Sequence, residues 1–173
     1  MIGYIERALL KKYGVHGFYI MNGAFSEVRK NMDPEGDRSI IPLNFIVKEK
    51  DKDLNIGFSV GASGSILPDA DEIRIIFHLM DLDTAESEVI LEAPVPKVVV
   101  SETGFSASAN LHIPVSNNSQ LLMVIEVNIT EPETLEYVNR FANDEDEKLI
   151  DVLSLSLVAA RLNVFIKDEL ENE

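Results

Sequence analysis

Histidine and carboxylate side chains are the groups through which this chain could hold a metal ion. Its three histidines are His16, His78 and His112. His78 and His112 each stand midway along a segment with strand-type alternation, so they lie close together if those two strands are neighbours. With Asp81 or Glu126 they would form a nitrogen and oxygen ligand set of the kind that binds zinc. Sequence spacing gives this set no support, and a satisfied or solvent-facing histidine is the simpler interpretation.

A second candidate for metal chemistry is the acidic segment 81–86, with the sequence DLDTAE. It resembles the opening of a calcium-binding loop, in which alternate acidic side chains supply oxygen ligands. The glycine and the bidentate glutamate that make an EF-hand loop specific do not follow. Aspartates after a strand commonly stabilise a local turn, so a turn is the expected role of Asp81 and Asp83.

No arrangement of nucleophiles or phosphate-binding glycines accompanies these residues. The chain has no cysteine, which excludes a thiolate nucleophile, a disulfide and a cysteine-based zinc site. Gly57, Gly61 and Gly64 lack the Lys-Ser or Lys-Thr pair of a phosphate-binding loop, and no serine lies in a G-x-S-x-G turn. The sequence therefore predicts a protein that is not an enzyme and that holds no cofactor.

The net charge of −15 limits the classes of partner. A protein that binds nucleic acid directly does so by neutralising phosphates, which this chain is too acidic to do. About half of the excess lies after Thr130, where twelve acidic residues face four basic ones (12 − 4 = 8). An acidic surface of this kind keeps a protein soluble, and it is also expected of a nucleic-acid mimic that inhibits a basic partner.

The first residues of the chain bear on its location. Glu6, Arg7, Lys11 and Lys12 interrupt what would be the apolar part of a signal peptide, and no apolar run reaches membrane-spanning length. We therefore expect a cytoplasmic protein without membrane contact.

Strands are the elements that must position any site, and the stretch 104–130 shows them best. Residues 105–113 alternate apolar and polar side chains, and residues 121–129 are largely apolar on both faces, as in a strand deep inside a sheet. Similar segments recur about every ten residues from Phe18, which predicts seven or eight antiparallel strands. The flexible segment 61–71 is expected to cross between two sheets, and Asn22-Gly23 is either a hairpin turn or a bulge.

Helices are predicted only at the two ends of the chain. Residues 2–13 have helical spacing, with Gly14 in position to end the helix. Thr130 and Glu133 form a capping box for a second helix that contains Pro132. The acidic run 143–147 predicts the start of a third, where the helix dipole favours negative charge.

The third helix is predicted to extend to Ile166, with apolar residues on two seams. One alternative stays open, because residues 153–157 alternate perfectly and fit a strand as well. Its apolar surface is either buried within the molecule or forms an interface with a second copy or another protein. The residues expected at such an interface are Ile150, Leu153, Leu155, Leu157, Leu162, Val164 and Ile166.

Residues 72–130, with RIIFHLMDLDTAESEV followed by a long strand pair, resemble the immunoglobulin-like sandwiches of small bacterial proteins of unknown function. The resemblance rests on strand rhythm and carries no residue roles. The predicted fold is mainly β: an antiparallel, immunoglobulin-like β-sandwich with a short N-terminal helix in residues 1–130, and a packed C-terminal helical pair in residues 131–173. The predicted function is a non-catalytic interaction or assembly module. The acidic mimic, and a metal- or ligand-binding protein that uses His78, His112 and Asp81, are the alternatives.

Overall fold

The computed structural model describes residues 2–13, 17–27, 43–50, 52–101, 104–140 and 149–167. These residues form two helices, eight strands and two short 3₁₀ turns. The helices are α1 (Ile2–Tyr13) and α2 (Pro132–Asn139). The strands are β1 (Tyr19–Glu27), β2 (Phe45–Glu49), β3 (Leu54–Ser63), β4 (Glu72–Asp81), β5 (Ser87–Pro94), β6 (Phe105–Ile113), β7 (Ser119–Ile129) and β8 (Leu153–Lys167).

The strands form two sheets of unequal width. The narrow sheet has the order β1-β3-β6 and the wide sheet has the order β2-β8-β7-β4-β5. Neighbouring strands run antiparallel, except that β2 runs parallel to β8. The segment between β3 and β4 crosses from the narrow to the wide sheet, as the glycine-rich composition of residues 61–71 predicts.

One hydrophobic core lies between the two sheets. Every second residue of β7, from Ser119 to Ile129, is buried, and these side chains face the core. Phe77 of β4 contacts Phe58 of β3 with ring centroids 5.0 Å apart, and contacts Phe25 of β1 at 6.5 Å. The wide and narrow sheets therefore pack against each other through alternating inward side chains.

The mainly β prediction is confirmed, and seven strands lie between Phe18 and Ile129 in the described ranges. At Asn22-Gly23 the strand continues, and the register of β1 shifts between Ile20 and Asn22, so the bulge is the correct alternative. His16, the polar loop 31–39 and the acidic run 143–147 lie outside the described residues. Among the described helices, none has the length and apolar character needed to cross a bilayer.

The two helices pack against each other near the ends of the chain. Lys12 of α1 lies 3.4 Å from Glu131, and the Tyr13 hydroxyl lies 2.8 Å from the hydroxyl of the buried Thr134. The hydrogen bond from Thr134, followed by the interaction with Lys12, lowers the pKa of the Glu131 carboxyl. The predicted capping box does not form, because Glu131 and not Thr130 is the N-cap residue of α2, and Thr130 instead donates its hydroxyl to Asp71.

The predicted third helix is wrong, because residues 153–167 form β8. Leu153, Leu155 and Leu157 pair with inward residues of β7, and so do Ala160, Leu162 and Val164. The register shift between these two groups leaves Ala159 as the extra residue of a bulge, which moves the inward side chains from odd to even positions. Successive inward residues of β8 are thus two residues apart within each half and three residues apart across the bulge. The three-residue interval resembles the spacing of residues on one face of a helix.

The bulge also brings β8 close to β1 of the other sheet. A Cβ atom added to Gly23 would lie 2.2 Å from the carbonyl oxygen of Ala159, a distance that no side chain can occupy. Glycine at position 23 therefore permits the two sheets to approach along this side.

We expect Gly23→Ala to lower the free energy of unfolding by about 1–3 kcal/mol, because the added methyl group forces the backbones of β1 and β8 apart. Urea denaturation measures this loss. Gly57→Ala is the matched control, since its added Cβ would meet mainly the hydroxyl of Ser26, 2.7 Å away, which can rotate. Equal stabilities of the two variants would show that the close approach at Gly23 is not a constraint.

Candidate interaction surface

The histidines predicted to share a metal site lie on opposite sides of the molecule. His78 is on β4 and pairs with the outward residue Leu122, so it lies on the outer side of the wide sheet. His112 is on β6 of the narrow sheet, where its ring nitrogens lie 2.7 Å from Asn55 and 2.8 Å from Asp53. Within the described residues, no group of three metal-ligating side chains is assembled.

Asp81 stabilises the turn between β4 and β5. Its Oδ1 accepts hydrogen bonds from the backbone N–H groups of Asp83 and Thr84, at 2.8 and 3.0 Å, and its Oδ2 accepts one from Asn117. The bond from the Thr84 backbone, then those from Asn117 and Asp83, lower the pKa of Asp81 below its ordinary value of 3.8. Both carboxylate oxygens of Asp81 thus have partners within the protein, which fits the turn interpretation.

The residues predicted to form a helical interface belong largely to the core. Leu153, Leu162 and Val164 are buried, and Ile150, Leu155 and Ile166 are partly buried against the core. Leu157 also pairs with an inward residue of β7, although it remains exposed. Most of these side chains lie on β8 and point inward, which fits the alternative in which this apolar surface is buried within the molecule.

The largest group of outward apolar side chains lies instead on the outer side of the wide sheet. Strand register places these residues on one face, because directly opposite residues of paired strands share a side. Val47 lies opposite Phe165, Val124 lies opposite Val158 and Ile76, and Leu122 lies opposite His78. We define the outer apolar face as Phe45, Val47, Ile76, Met80, Val89, Leu122, Val124, Val158 and Phe165.

Exposure of this face is greatest on its flanking strands. Phe45 and Val47 of β2 are 63% and 57% exposed, and Phe165, Val158 and Val89 are also exposed. Ile76 is buried, and the other residues of the face on β4 and β7 are partly buried. Five strands about 4.8 Å apart and four rows of side chains about 7 Å apart give this part of the sheet an area of roughly 600 Å², which the apolar residues share with polar ones such as His78, Arg161 and Gln120. Exposed apolar side chains grouped on one face commonly mark a binding surface.

An ion-pair cluster borders the outer apolar face. Arg74 lies 2.5 Å from Glu126, 3.0 Å from Glu92 and 3.5 Å from Glu72. Partial burial lowers the pKa of Arg74, but the three carboxylates together outweigh burial and raise it. Arg74 therefore remains charged at the border of the outer apolar face. Arg161 is a cation that lies among the apolar rows.

We expect Asp81→Asn to unfold at a lower urea concentration than the unaltered protein at about pH 7, and the difference to shrink towards about pH 3. The lowered pKa of Asp81 means that its contribution is present above the ordinary carboxyl pKa and is lost as pH falls through the folded value. Asp83→Asn is the control, because it removes the same charge from the same turn. Asp83 donates its hydrogen bond to Asp81 through the backbone N–H group, which this substitution retains. A difference between Asp81→Asn and the unaltered protein that does not change with pH would contradict this assignment.

Comparison of the chain with protein-family models, with curated proteins and with solved structures gives no significant match.

Proposed function

We propose that this chain is a non-catalytic assembly module that binds a second copy of itself through the outer apolar face. The observation that carries the proposal is the presence of outward apolar side chains on all five strands of the wide sheet, interrupted by Arg161 and by the hydrogen-bonded pair Gln120 and Asn163. The C-terminal segment takes part as a strand and not as a helix, since β8 contributes Val158 and Phe165.

The size of the outer apolar face fits a second copy. A two-fold axis through the face would bring the same rows of side chains together from both copies, as in other isologous dimers. Two faces of this size would bury roughly 1,200 Å², which is at the low end of specific protein interfaces. Two sheets can pack face to face in this way, with their strands rotated by about 30°.

The distribution of charge favours the same face. The chain carries a net charge of −15, so two copies repel over most of their surfaces. The apolar rows carry the cation Arg161, and Glu92 lies opposite Ile76 within them, whereas Glu72 and Glu126 lie at the rim beside Arg74. Contact through the apolar rows therefore places few like charges against each other.

An immunoglobulin-like arrangement belongs to the same proposal, and the order of the strands supports it. Immunoglobulin domains hold strands A, B, E and D in one sheet and C, F and G in the other, with C′ beside C in variable-type domains. Assigning β1, β3 and β6 to A, B and E, and β4, β5, β7 and β8 to C, C′, F and G, gives similar groups of strands. Strand D has no counterpart among the described strands, and β2 stands outside the assignment. The chain departs from antibody domains in lacking cysteine and tryptophan.

The acidic mimic is a second candidate, favoured by the net charge alone. It predicts a complex with a basic protein, held by exposed carboxylates and weakened steeply by salt. Self-association through an apolar face predicts the opposite response, so one measurement separates the two candidates.

We expect Val158→Lys to weaken self-association at least tenfold, because the substitution places a cation among the apolar rows near Arg161. Analytical ultracentrifugation over a range of concentrations measures the dissociation constant. Val99→Lys is the matched control, since Val99 is 50% exposed outside this face and Val158 is 46% exposed. A chain that remains monomeric up to about 100 μM would refute the proposal.

We expect the dissociation constant of the dimer to fall as sodium chloride rises from about 0.05 to about 0.5 M, because salt screens the repulsion between two acidic copies. The same ultracentrifugation experiment, repeated across the salt series, gives this dependence. Stronger self-association at low salt would show that ion pairs, and not the apolar rows, hold the copies together.

A further inference from the structure

The narrow sheet leaves part of the inner side of the wide sheet uncovered. Leu91 of β5 lies directly opposite Phe77 of β4, so both side chains are on the inner side. Phe77 is fully buried beneath Phe25 and Phe58, whereas Leu91 is 43% exposed. The narrow sheet thus covers the inner side of β5 incompletely, although Ile90 of the same strand packs partly against the core.

The edge of the narrow sheet faces the same opening. Ala107 and Ala109 of β6 lie opposite the inward residues Val60 and Phe58, which places both alanines on the inner side. Ala109 is nevertheless exposed and Ala107 is only partly buried. A groove therefore runs between β5 and β6. We call it the β5–β6 groove and define it by Leu79, Glu88, Leu91, Ala107, Ala109 and Pro114.

The free edge of β6 lacks the features that usually block strand addition. Its nine residues, FSASANLHI, include no proline and no lysine or carboxylate, and its pairing with β3 has no bulge. The edge strand β5 contains Glu88, Glu92, Pro94 and a register shift, and the edge strand β2 has only five residues. The part of the narrow sheet that the structure describes ends at β6.

One end of the groove is acidic and spacious. A cavity of about 560 Å³ lies beside the carboxyl end of β6, where Pro114 and Ser116 form part of its wall. Asp81, Glu86 and Glu88 line the same cavity. An aspartate with its ordinary pKa is already ionised at neutral pH, and the hydrogen bonds from Thr84, Asn117 and Asp83 lower the pKa of Asp81 further.

We propose that the β5–β6 groove binds an extended segment of another protein, which adds to β6 as an antiparallel strand. Alternate apolar side chains of that segment would cover Leu91 and the two alanines, as expected of strand addition with side-chain pockets. The amino end of an antiparallel strand lies at the carboxyl end of β6, so the segment would place basic residues there, next to Asp81, Glu86 and Glu88.

A second copy of this chain is a poor occupant of the groove. Strand β6 of that copy would present Ala107 and Ala109 towards the core, and alanine is too short to cover Leu91. Antiparallel pairing would also place the amino end of the second β6 beside Asp81, Glu86 and Glu88, and that strand has no basic residue to offer there. The proposed segment therefore comes from a different protein, and its binding is independent of self-association through the outer apolar face.

The test uses a synthetic peptide of about ten residues that alternates valine and threonine and begins with two arginines. Its composition matches the groove in alternation, charge and strand direction. An isomer with the arginines at the carboxyl end tests direction, and a scrambled peptide with clustered valines tests alternation. Fluorescence anisotropy with the full chain gives the affinities, and amide hydrogen exchange locates the bound strand.

We expect the first peptide to bind more tightly than both isomers and to slow amide exchange in β6. Leu91→Ser should weaken binding roughly tenfold, whereas Val89→Ser should leave it unchanged. The two positions are matched, since Val89 is 49% exposed on the same strand but pairs with His78 on the outer side. Equal effects of the two substitutions, equal binding of the scrambled peptide, or unchanged exchange in β6 would overturn the proposal.

Discussion

The register of β8 against β7 is the constraint on which the two-sheet structure depends. Leu153 must lie opposite Ile129 and Leu162 opposite Leu121 for both halves of β8 to fill the core. A strand without an irregularity would turn one half outward, because a shift of one residue exchanges the two sides of a strand. The bulge at Ala159 removes this conflict, and Gly23 of β1 leaves room for it. Strand β2 then pairs along the second half of β8 and widens the sheet to five strands.

Regular alternation made most of the fold predictable from the sequence, and the bulge shows where such prediction stops. Residues 105–113 alternate without interruption and residues 121–129 are largely apolar on both faces, and both are strands as predicted. In residues 153–167 the inward positions change from odd to even at Ala159, so apolar residues fall at helical as well as strand intervals. The alternating run 153–157 carried the correct signal, but the acidic run 143–147 before it favoured a helix.

Residue types alone could not locate the candidate surface, because an apolar strand has the same sequence pattern whether its outer side is buried or exposed. Residues 72–80 have apolar side chains on both faces, which predicts an interior strand. That strand is indeed central within its sheet, yet only its inner side is covered by the narrow sheet. Met80 and Val124 therefore look like core residues in the sequence and lie on an outer face in the structure. Strand order and sheet width, which come from long-range pairing, decide between the two.

The unequal width of the sheets accounts for both proposed surfaces. A five-stranded sheet with apolar side chains on part of its outer side has more hydrophobic area than one core can use, so that part of the outer face stays available. A three-stranded partner does not fully cover the inner side of the fifth strand, which leaves Leu91 exposed beside β6, the last described strand of the narrow sheet. The first surface is largely apolar between its charged rim and Arg161, which suits a copy of the same acidic chain. The second is narrow, directional and acidic at one end, so it suits an extended segment of opposite charge.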